Sequence, residues 1–341
     1  MKKKKLSSIA IIILGIMLVV TGCGKAGTKA ASSNEKQTLI PVKFGVGGSG
    51  TLPYLFLIAN EKGFFEKRGI KPELTTFANG VETLNAAVVG QVDVGVAADY
   101  AVLSRLSSGD LRIISFAQQG KPENSKLVAL PGINSPEDLK GKSIGLQKGT
   151  VDEVVVYKYL EKFNIKQDEV KKQGLGSASE VLAAFSRGDV KAAFFGAAWL
   201  DKALKIPGAR VIGSQKDIPF SSRAFIVTTN KLLKEKPDAA KRMLLALNDA
   251  VKFSETNPDE AAQIQADKLK VPKESLERQL KDQINDIRLS SEDIKQLKDV
   301  YDYATSNNLI KGGFDLKDKI ATEPLKQALP SKFTYNPDDL K

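Results

Sequence analysis

Gly45-Val46-Gly47-Gly48-Ser49-Gly50-Thr51 decides how the rest of the chain is read. The run follows a short apolar strand pattern, Ile40 to Val46, precedes a helical one, and satisfies G-x-G-x-x-G. Glycines at such a turn let the backbone bend sharply and approach a bound group, and the first amides of the next helix have no intrahelical acceptor. Two functions share that physics: a dinucleotide-binding enzyme, and a protein that binds a small solute. The dinucleotide site needs an acid at the end of the second strand to hold a ribose hydroxyl. Here that strand, Lys71 to Phe77, runs out in Phe77-Ala78-Asn79, with Glu73 near its start. The solute reading is the better supported.

Working outward, the loop leads into a helix over Thr51 to Lys62, with Pro53 in its first turn and Gly63 closing it. A strand at Lys71 to Phe77 follows, then a helix from Asn79 or Gly80 to Val89, a strand Val92 to Ala97, a short helix Tyr100 to Ser107 and a strand Leu111 to Ala117. Alternation at this spacing predicts an α/β fold with a parallel sheet. The programme then repeats. Lys142 to Leu146 is a strand, Gln147 to Thr150 a loop and Val151 to Phe163 a helix. Gly45 pairs with Gly145, and Leu84-Asn85-Ala86-Ala87-Val88-Val89-Gly90 with Leu182-Ala183-Ala184-Phe185-Ser186-Arg187-Gly188. Two similar lobes are expected, the first over 40–128 and the second over 129–223, with 224–341 returning to the first lobe and continuing into helices. Two chain crossings between lobes make a hinge. The helices expected there, Pro237 to Thr256, Pro258 to Lys270, Lys273 to Asn285 and Ser291 to Asn307, carry packing faces such as Met243, Leu244, Leu247 and Val251.

The N-terminus carries a different message. Lys2 to Lys5, the apolar run Leu6 to Val20 and the small-residue site before Cys23 read as an export signal over 1–22, too short for a spanning helix. Val20-Thr21-Gly22-Cys23 resembles the lipobox of bacterial lipoproteins, which implies that Cys23 becomes a lipidated (palmitate-bearing) anchor to the extracytoplasmic face of the cell membrane. Residues 23–39 read as a flexible tether. Cys23 is the only cysteine, so no intrachain disulfide can form. The formal charge of +11 is scattered over lysine-rich and glutamate-rich helix faces without an aromatic-basic stripe, which argues against nucleic acid. The chain has no histidine, which removes His-based triads and the commonest transition-metal ligand; no cofactor or metal is expected. Ser49 does not sit in a G-x-S-x-G register either, which counts against an exported hydrolase.

In an open parallel sheet, ligands bind beyond the carboxyl ends of the strands. That places Gly48, Ser49, Gly50, Thr51, Leu52 and Pro53, then Asp99 and Tyr100, in the first lobe, opposite Lys148, Gly149, Thr150 and Val151, then Ala197 and Trp199, in the second. Helix N-termini facing each other suit a small anion or an oxygen-rich guest. Thr51 and Thr150 equally suit N-caps. Trp199 fits stacking on a ligand or ordinary packing, and Arg223 an acidic ligand group or the surface. Asp99 either accepts an N–H or caps the helix at Tyr100.

Leu57-Ile58-Ala59-Asn60-Glu61-Lys62-Gly63-Phe64-Phe65, Gly90-Gln91-Val92-Asp93-Val94, Gly149-Thr150 and Gly188-Asp189-Val190-Lys191-Ala192-Ala193, with the lipobox, resemble the solute-binding lipoproteins of ABC importers in the sulfonate, nitrate, taurine and thiamine-pyrimidine group. The resemblance covers Val42 to Thr229 and, loosely, the helical tail. It implies a two-lobed, type II periplasmic-binding-protein fold. It also implies a monomer that closes on a small organic anion or heterocycle and delivers it to a membrane permease. The binding positions it carries over are Gly48 to Pro53, Asp99, Tyr100, Gly149, Thr150 and the turn at Trp199. Ala197-Ala198-Trp199-Leu200-Asp201 departs from the group's acid-proline pattern after its aromatic residue, so the resemblance alone does not choose the ligand.

Overall fold

The computed structural model describes residues 38–48, 50–281, 283–310 and 313–340. The signal, Cys23, most of the tether and Ser49 lie outside the described residues. The first strand, β1 (Ile40–Gly47), leads through a turn to α1 (Tyr54–Glu61) and α2 (Phe64–Lys67). Then come β2 (Ile70–Phe77), α3 (Gly80–Val88), β3 (Val94–Ala98), α4 (Asp99–Leu106) and β4 (Leu111–Gln119). The second lobe holds β5 (Lys126–Ala129), β6 (Ser143–Gln147), α5 (Val151–Lys162), β7 (Lys171–Leu175), α6 (Ala178–Arg187), β8 (Ala192–Phe195), α7 (Ala197–Ala203) and β9 (Arg210–Ser214). The chain returns as β10 (Arg223–Thr229) and continues through α8 (Asn230–Glu235), α9 (Pro237–Thr256), α10 (Pro258–Leu269) and α11 (Lys273–Leu280). It finishes with β11 (Ile284–Ser290), α12 (Ser291–Ser306), α13 (Glu323–Ala328) and β12 (Phe333–Thr334).

Two sheets result, ordered β12-β11-β4-β10-β3-β1-β2 and β7-β6-β8-β5-β9. Their cores repeat one plan. In the first, β2, β1 and β3 run parallel and β10 lies antiparallel between β3 and β4. In the second, β7, β6 and β8 run parallel and β5 lies antiparallel between β8 and β9. The parallel sheet expected from the alternation is present in both lobes and becomes mixed where β5 and β10 insert. β5 and β10 are the strands that enter each lobe from the other, so they run against their neighbours. Because β5 begins at Lys126, the first crossing lies in Gly120 to Ser125, slightly before the expected boundary after residue 128. The second crossing, Gln215 to Ser222, sits beside it: Gln119 Nε2 donates to Ser221 Oγ at 2.9 Å and Ser221 Oγ to Gly120 O at 3.2 Å.

The repeat holds in register. Gly45 lies opposite Gly95 on β3, and Gly145 opposite Ala193 on β8. Asn79 caps α3 by accepting from Glu82 N, and Ser177 caps α6 by accepting from Glu180 N. Past both helices the chain turns back identically, with Gln91 N on Ala86 O at 2.8 Å and Asp189 N on Ala184 O at 2.9 Å. The first lobe's core packs Phe44 between Phe56 and Phe65, with the Phe65 ring centroid 4.7 Å away. Phe185 and Phe195 pair in the second lobe at 5.4 Å.

α3 lies tight on the first sheet because Gly80 has no side chain. A Cβ there would sit 2.9 Å from Ala97 Cα and 3.0 Å from Val96 O, backbone atoms that cannot swing aside. Gly80→Ala is expected to lower the unfolding free energy by about 1–3 kcal/mol, read from urea midpoints; an unchanged midpoint would remove the packing argument.

Several element ends differ from the sequence reading. α1 starts at Tyr54, with Pro53 as an N-cap that makes no side-chain bond, so Thr51 is not a cap. Instead Thr51 Oγ1 accepts from Gln118 Nε2 at 3.1 Å. The helix expected over Lys273 to Asn285 stops at Leu280, and β11 follows, pairing antiparallel with β4.

Candidate functional site

Where the two lobes meet, loops from the carboxyl ends of both sheets enclose a cavity of about 130 Å³. Leu52, Asn79, Gly80, Val81, Ala98 and Ala101 line it from the first lobe, and Gln147, Thr150, Val151 and Asp152 from the second. A neighbouring cavity of about 90 Å³ shares Gln147 and Asp152 and adds Ser125, Phe194, Phe195 and Trp199. The lobes touch around them. Asn79 Nδ2 donates to Gly176 O at 3.0 Å, and Tyr100 Oη donates to Glu153 Oε2 at 2.8 Å.

Each lining group is placed by local chemistry. Asn79 serves twice, its Oδ1 capping α3 and its Nδ2 reaching across the cleft. Thr150 caps α5: its Oγ1 accepts from Asp152 N at 3.2 Å and donates to Gln147 O at 2.9 Å. Asp152, in the first turn of α5, folds back so that Oδ2 accepts from Gln147 N at 3.2 Å and Gln147 Nε2 at 3.3 Å. Glu153 accepts from Gly149 N at 2.6 Å, shaping the left-handed turn at Gly149 (φ 76°). The N-termini of α3 and α5 therefore line the cavity from opposite lobes, with the Glu82 and Asp152 amides taken by their caps.

The sequence-predicted residues fall into separate places. Leu52, Thr150 and Val151 line the cavity, and Trp199 its neighbour. The Trp199 ring is half-buried, with Lys202 Nζ 4.5 Å from its centroid. Tyr100, Lys148 and Gly149 line an adjoining interlobe crevice with Arg105 and Glu82. Asp99 and Arg223 are buried on a third cavity, of about 450 Å³, between the hinge segments and α12. Gly48, Gly50, Thr51 and Pro53 line none of these cavities. Gly48 N bonds Phe77 O at 2.7 Å, and Gly50, at φ 65°, offers its carbonyl to Gln265 Nε2 at 2.6 Å. Ala197 begins α7. The helix that presents its N-terminus from the first lobe is thus α3 rather than the one after the glycine loop, because Thr51 to Pro53 turns the chain before α1 starts. Sequence reasoning missed Asn79, Gln147 and Asp152. The signal for Asp152 was present as an acid two residues past a threonine cap, which reads by default as helix-end chemistry.

Burial pushes the Asp152 carboxyl up to about 6, against the N–H groups of Gln147. Asp99 is likewise pushed up to about 6 by burial, held back by Arg223 N at 3.0 Å, Tyr100 N at 2.8 Å and Ser222 Oγ at 3.2 Å. A carboxyl raised on folding adds stability that is complete below its unfolded value and lost as pH rises through about 6. Asp152→Asn is therefore expected to gain stability relative to the parent as pH rises from about 4 to about 6, between the carboxyl's unfolded and folded values, with the difference level above that. A pH-independent difference in urea midpoints would contradict this.

Behind the hinge, Arg223 Nε lies 3.3 Å from Asp293 Oδ1, and Arg288 grips the same fully buried carboxylate through Nε and Nη2, both at 2.9 Å. These bonds tie the second crossing to α12.

With that geometry established, comparison with known proteins decides the family. Residues 54–261 match the family model described as NMT1/THI5 like. The chain belongs to the NMT1/THI5-like family. A family relative from Brucella abortus, named as a binding protein, is 31% identical over 76% of this chain and 80% of its own length. Another from Bacillus subtilis, named as an aliphatic sulfonates-binding protein, is 28% identical over 94% of this chain and 96% of its own. Among solved structures, the alkanesulfonate-binding protein of Xanthomonas axonopodis bound to MOPS superposes with a TM-score of 0.72 at 20% identity, covering 83% of this chain and 98% of that one. The fold is that of the periplasmic binding proteins, as the two-sheet plan requires. A desulfurization enzyme, DSZB, shares it at a TM-score of 0.59 and 15% identity over 86% of this chain and 99% of its own, so the fold by itself does not separate binding from catalysis.

Proposed function

We propose that this protein is the extracytoplasmic solute-binding component of an ABC importer, capturing a small organic solute between its lobes by hinge closure and handing it to a membrane permease. The observation that carries the proposal is the cavity walled by both lobes beside paired chain crossings. A solute touching both walls favours the closed arrangement by whatever free energy those contacts supply. The names of the relatives support a sulfonate-like or related small solute, with a thiamine-precursor pyrimidine or an aromatic acid as the second reading. The proposed binding residues are those the cavity gathers: Leu52, Asn79, Thr150, Val151, Asp152 and Trp199.

The proposal includes anchoring by lipid on Cys23 and a monomeric state. Labelled palmitate should enter the full chain expressed in a bacterial host and not Cys23→Ser. A thermal-shift screen against sulfonates, nitrate, taurine, pyrimidines and aromatic acids tests capture itself. Stabilisation by a member without turnover is expected. Turnover of an ester or sulfinate substrate by the purified chain would instead support an enzyme, a reading that the absence of histidine disfavours.

A further inference from the structure

The interlobe cavities have an unbalanced charge. Among the described residues lining the two of them, Asp152 is the one ionisable group, and no lysine or arginine faces it there. Lys202 lies over the Trp199 ring at 4.5 Å but lines neither cavity, and the other cations near the cleft belong elsewhere. Arg105 and Lys148 line the adjoining crevice alongside Glu82 and Glu153, and Lys158 and Arg223 line the cavity behind the hinge. Glu153, the residue after Asp152, is also acidic and adds to the negative potential at the site.

Asp152 is also half-used. Both donors from Gln147 fall on Oδ2, and Oδ1 accepts no hydrogen bond from the described residues. Nearby, Ser125 makes no side-chain hydrogen bond among the described residues, the polar lining groups Asn79 and Thr150 are engaged by the bonds described above, and Leu52, Val81, Val151, Phe194 and Trp199 supply apolar wall. A carboxylate in such a place is costly unless something cationic or N–H-bearing meets it. A nitrogen-free sulfonate would bring a second anion and no donor.

We infer, building on the capture reading above, that Asp152 is the specificity-determining residue of the cleft. It selects a solute that presents a protonated amine to Oδ1, while the solute's oxyanion lies at the first-turn amides that the caps leave open, those of Gly80 and Val81 on α3 and Val151 on α5. The solute class is a small zwitterion, with a nitrogen-free alkanesulfonate excluded. Charge-assisted pairing at one end and helix amides at the other would read both poles of such a molecule.

Matched pairs test this by titration calorimetry on the parent protein: 2-aminoethanesulfonate against ethanesulfonate, 3-aminopropanesulfonate against propanesulfonate, and 3-aminopropanoate against propanoate. In at least one pair the amino member is expected to bind about ten- to a hundredfold more tightly than its partner. Asp152→Asn, which keeps the shape and one acceptor for Gln147, should bring the two members within about threefold. Equal or tighter binding of the nitrogen-free members, or a preference that survives Asp152→Asn, overturns the inference. Emission from Trp199, the single tryptophan, separates this failure from that of the capture reading. A nitrogen-free member that binds and shifts the emission leaves capture standing and removes only the role of Asp152. Binding that leaves the emission and the cleft's exchange protection unchanged removes capture in this cleft. No binding by any member at millimolar concentration contradicts both.

Discussion

Asp293→Ala should lower the unfolding free energy by about 3–5 kcal/mol, the largest single effect expected in this chain. Asp293 is fully buried. It receives the Arg288 guanidinium in a two-bonded fork, lies 3.3 Å from Arg223 Nε, and accepts from Ser290 Oγ at 2.6 Å. It also completes the capping box of α12 by accepting from Ser290 N. Removing it leaves two desolvated guanidinium groups without their shared counter-charge. Burial already disfavours the charged form of Arg223, which Asp293 offsets more than Glu292 does. Asp293→Asn keeps the cap and the shape but not the charge, so its loss should be smaller. Guanidinium denaturation of the parent and both variants checks the order; a loss under about 1 kcal/mol for Asp293→Ala would show that the cluster is not a structural clamp. Because Arg223 opens β10 directly after the second crossing, the cluster also fixes the hinge to α12.

Val151→Trp should weaken solute binding at least about a hundredfold while leaving the unfolding midpoint nearly unchanged. Val151 starts α5 and faces Leu52, Val81 and Ala98 of the other lobe across a cavity of about 130 Å³. A side chain of tryptophan size fills that space and holds the walls apart. The residue is only partly buried, so the substitution has room to stand in the cleft without invading a core. Titration with the tightest solute found in the screen measures the effect. Unchanged affinity would place the solute elsewhere, with the cavity beside Asp99 and Arg223 as the next candidate.

Much of the fold was legible because both lobes are written with the same spacing. Gly45 and Gly145, Leu84 and Leu182, and Gly90 and Gly188 occupy matched places in the structure, and the strand and helix periods between them are strong. What local pattern could not give was partnership. Nothing within Lys126 to Ala129 or Arg223 to Thr229 states that each strand inserts antiparallel into the sheet of the lobe it enters; that follows from the path of the whole chain. β11 was hidden because Lys273 to Leu280 is helical and the charged Arg288 interrupts Ile287 and Leu289, although these two are buried in strand alternation.

The site was legible more as a region than as a residue set. The glycine run drew attention to Gly48 through Pro53, but most of its polar groups are used within the first lobe, and only Leu52 reaches the cavity. Thr150 reads equally as cap and as lining, and it is both. Asn79, at first only a helix start, turned out to touch the other lobe. In the sequence Asp152 is an acid in the first turn of a helix, and its free oxygen becomes visible only once the opposite wall is in place.

Amide hydrogen exchange, with and without a solute identified by the screen, tests the central claim most directly. Capture in the interlobe cavity predicts slowed exchange in both lobes at once, over 79–82 and 98–101 in the first and 147–153 and 194–199 in the second, together with the crossings 120–125 and 215–222. Protection confined to one lobe, or to the face of α12 beside Arg223, would contradict it.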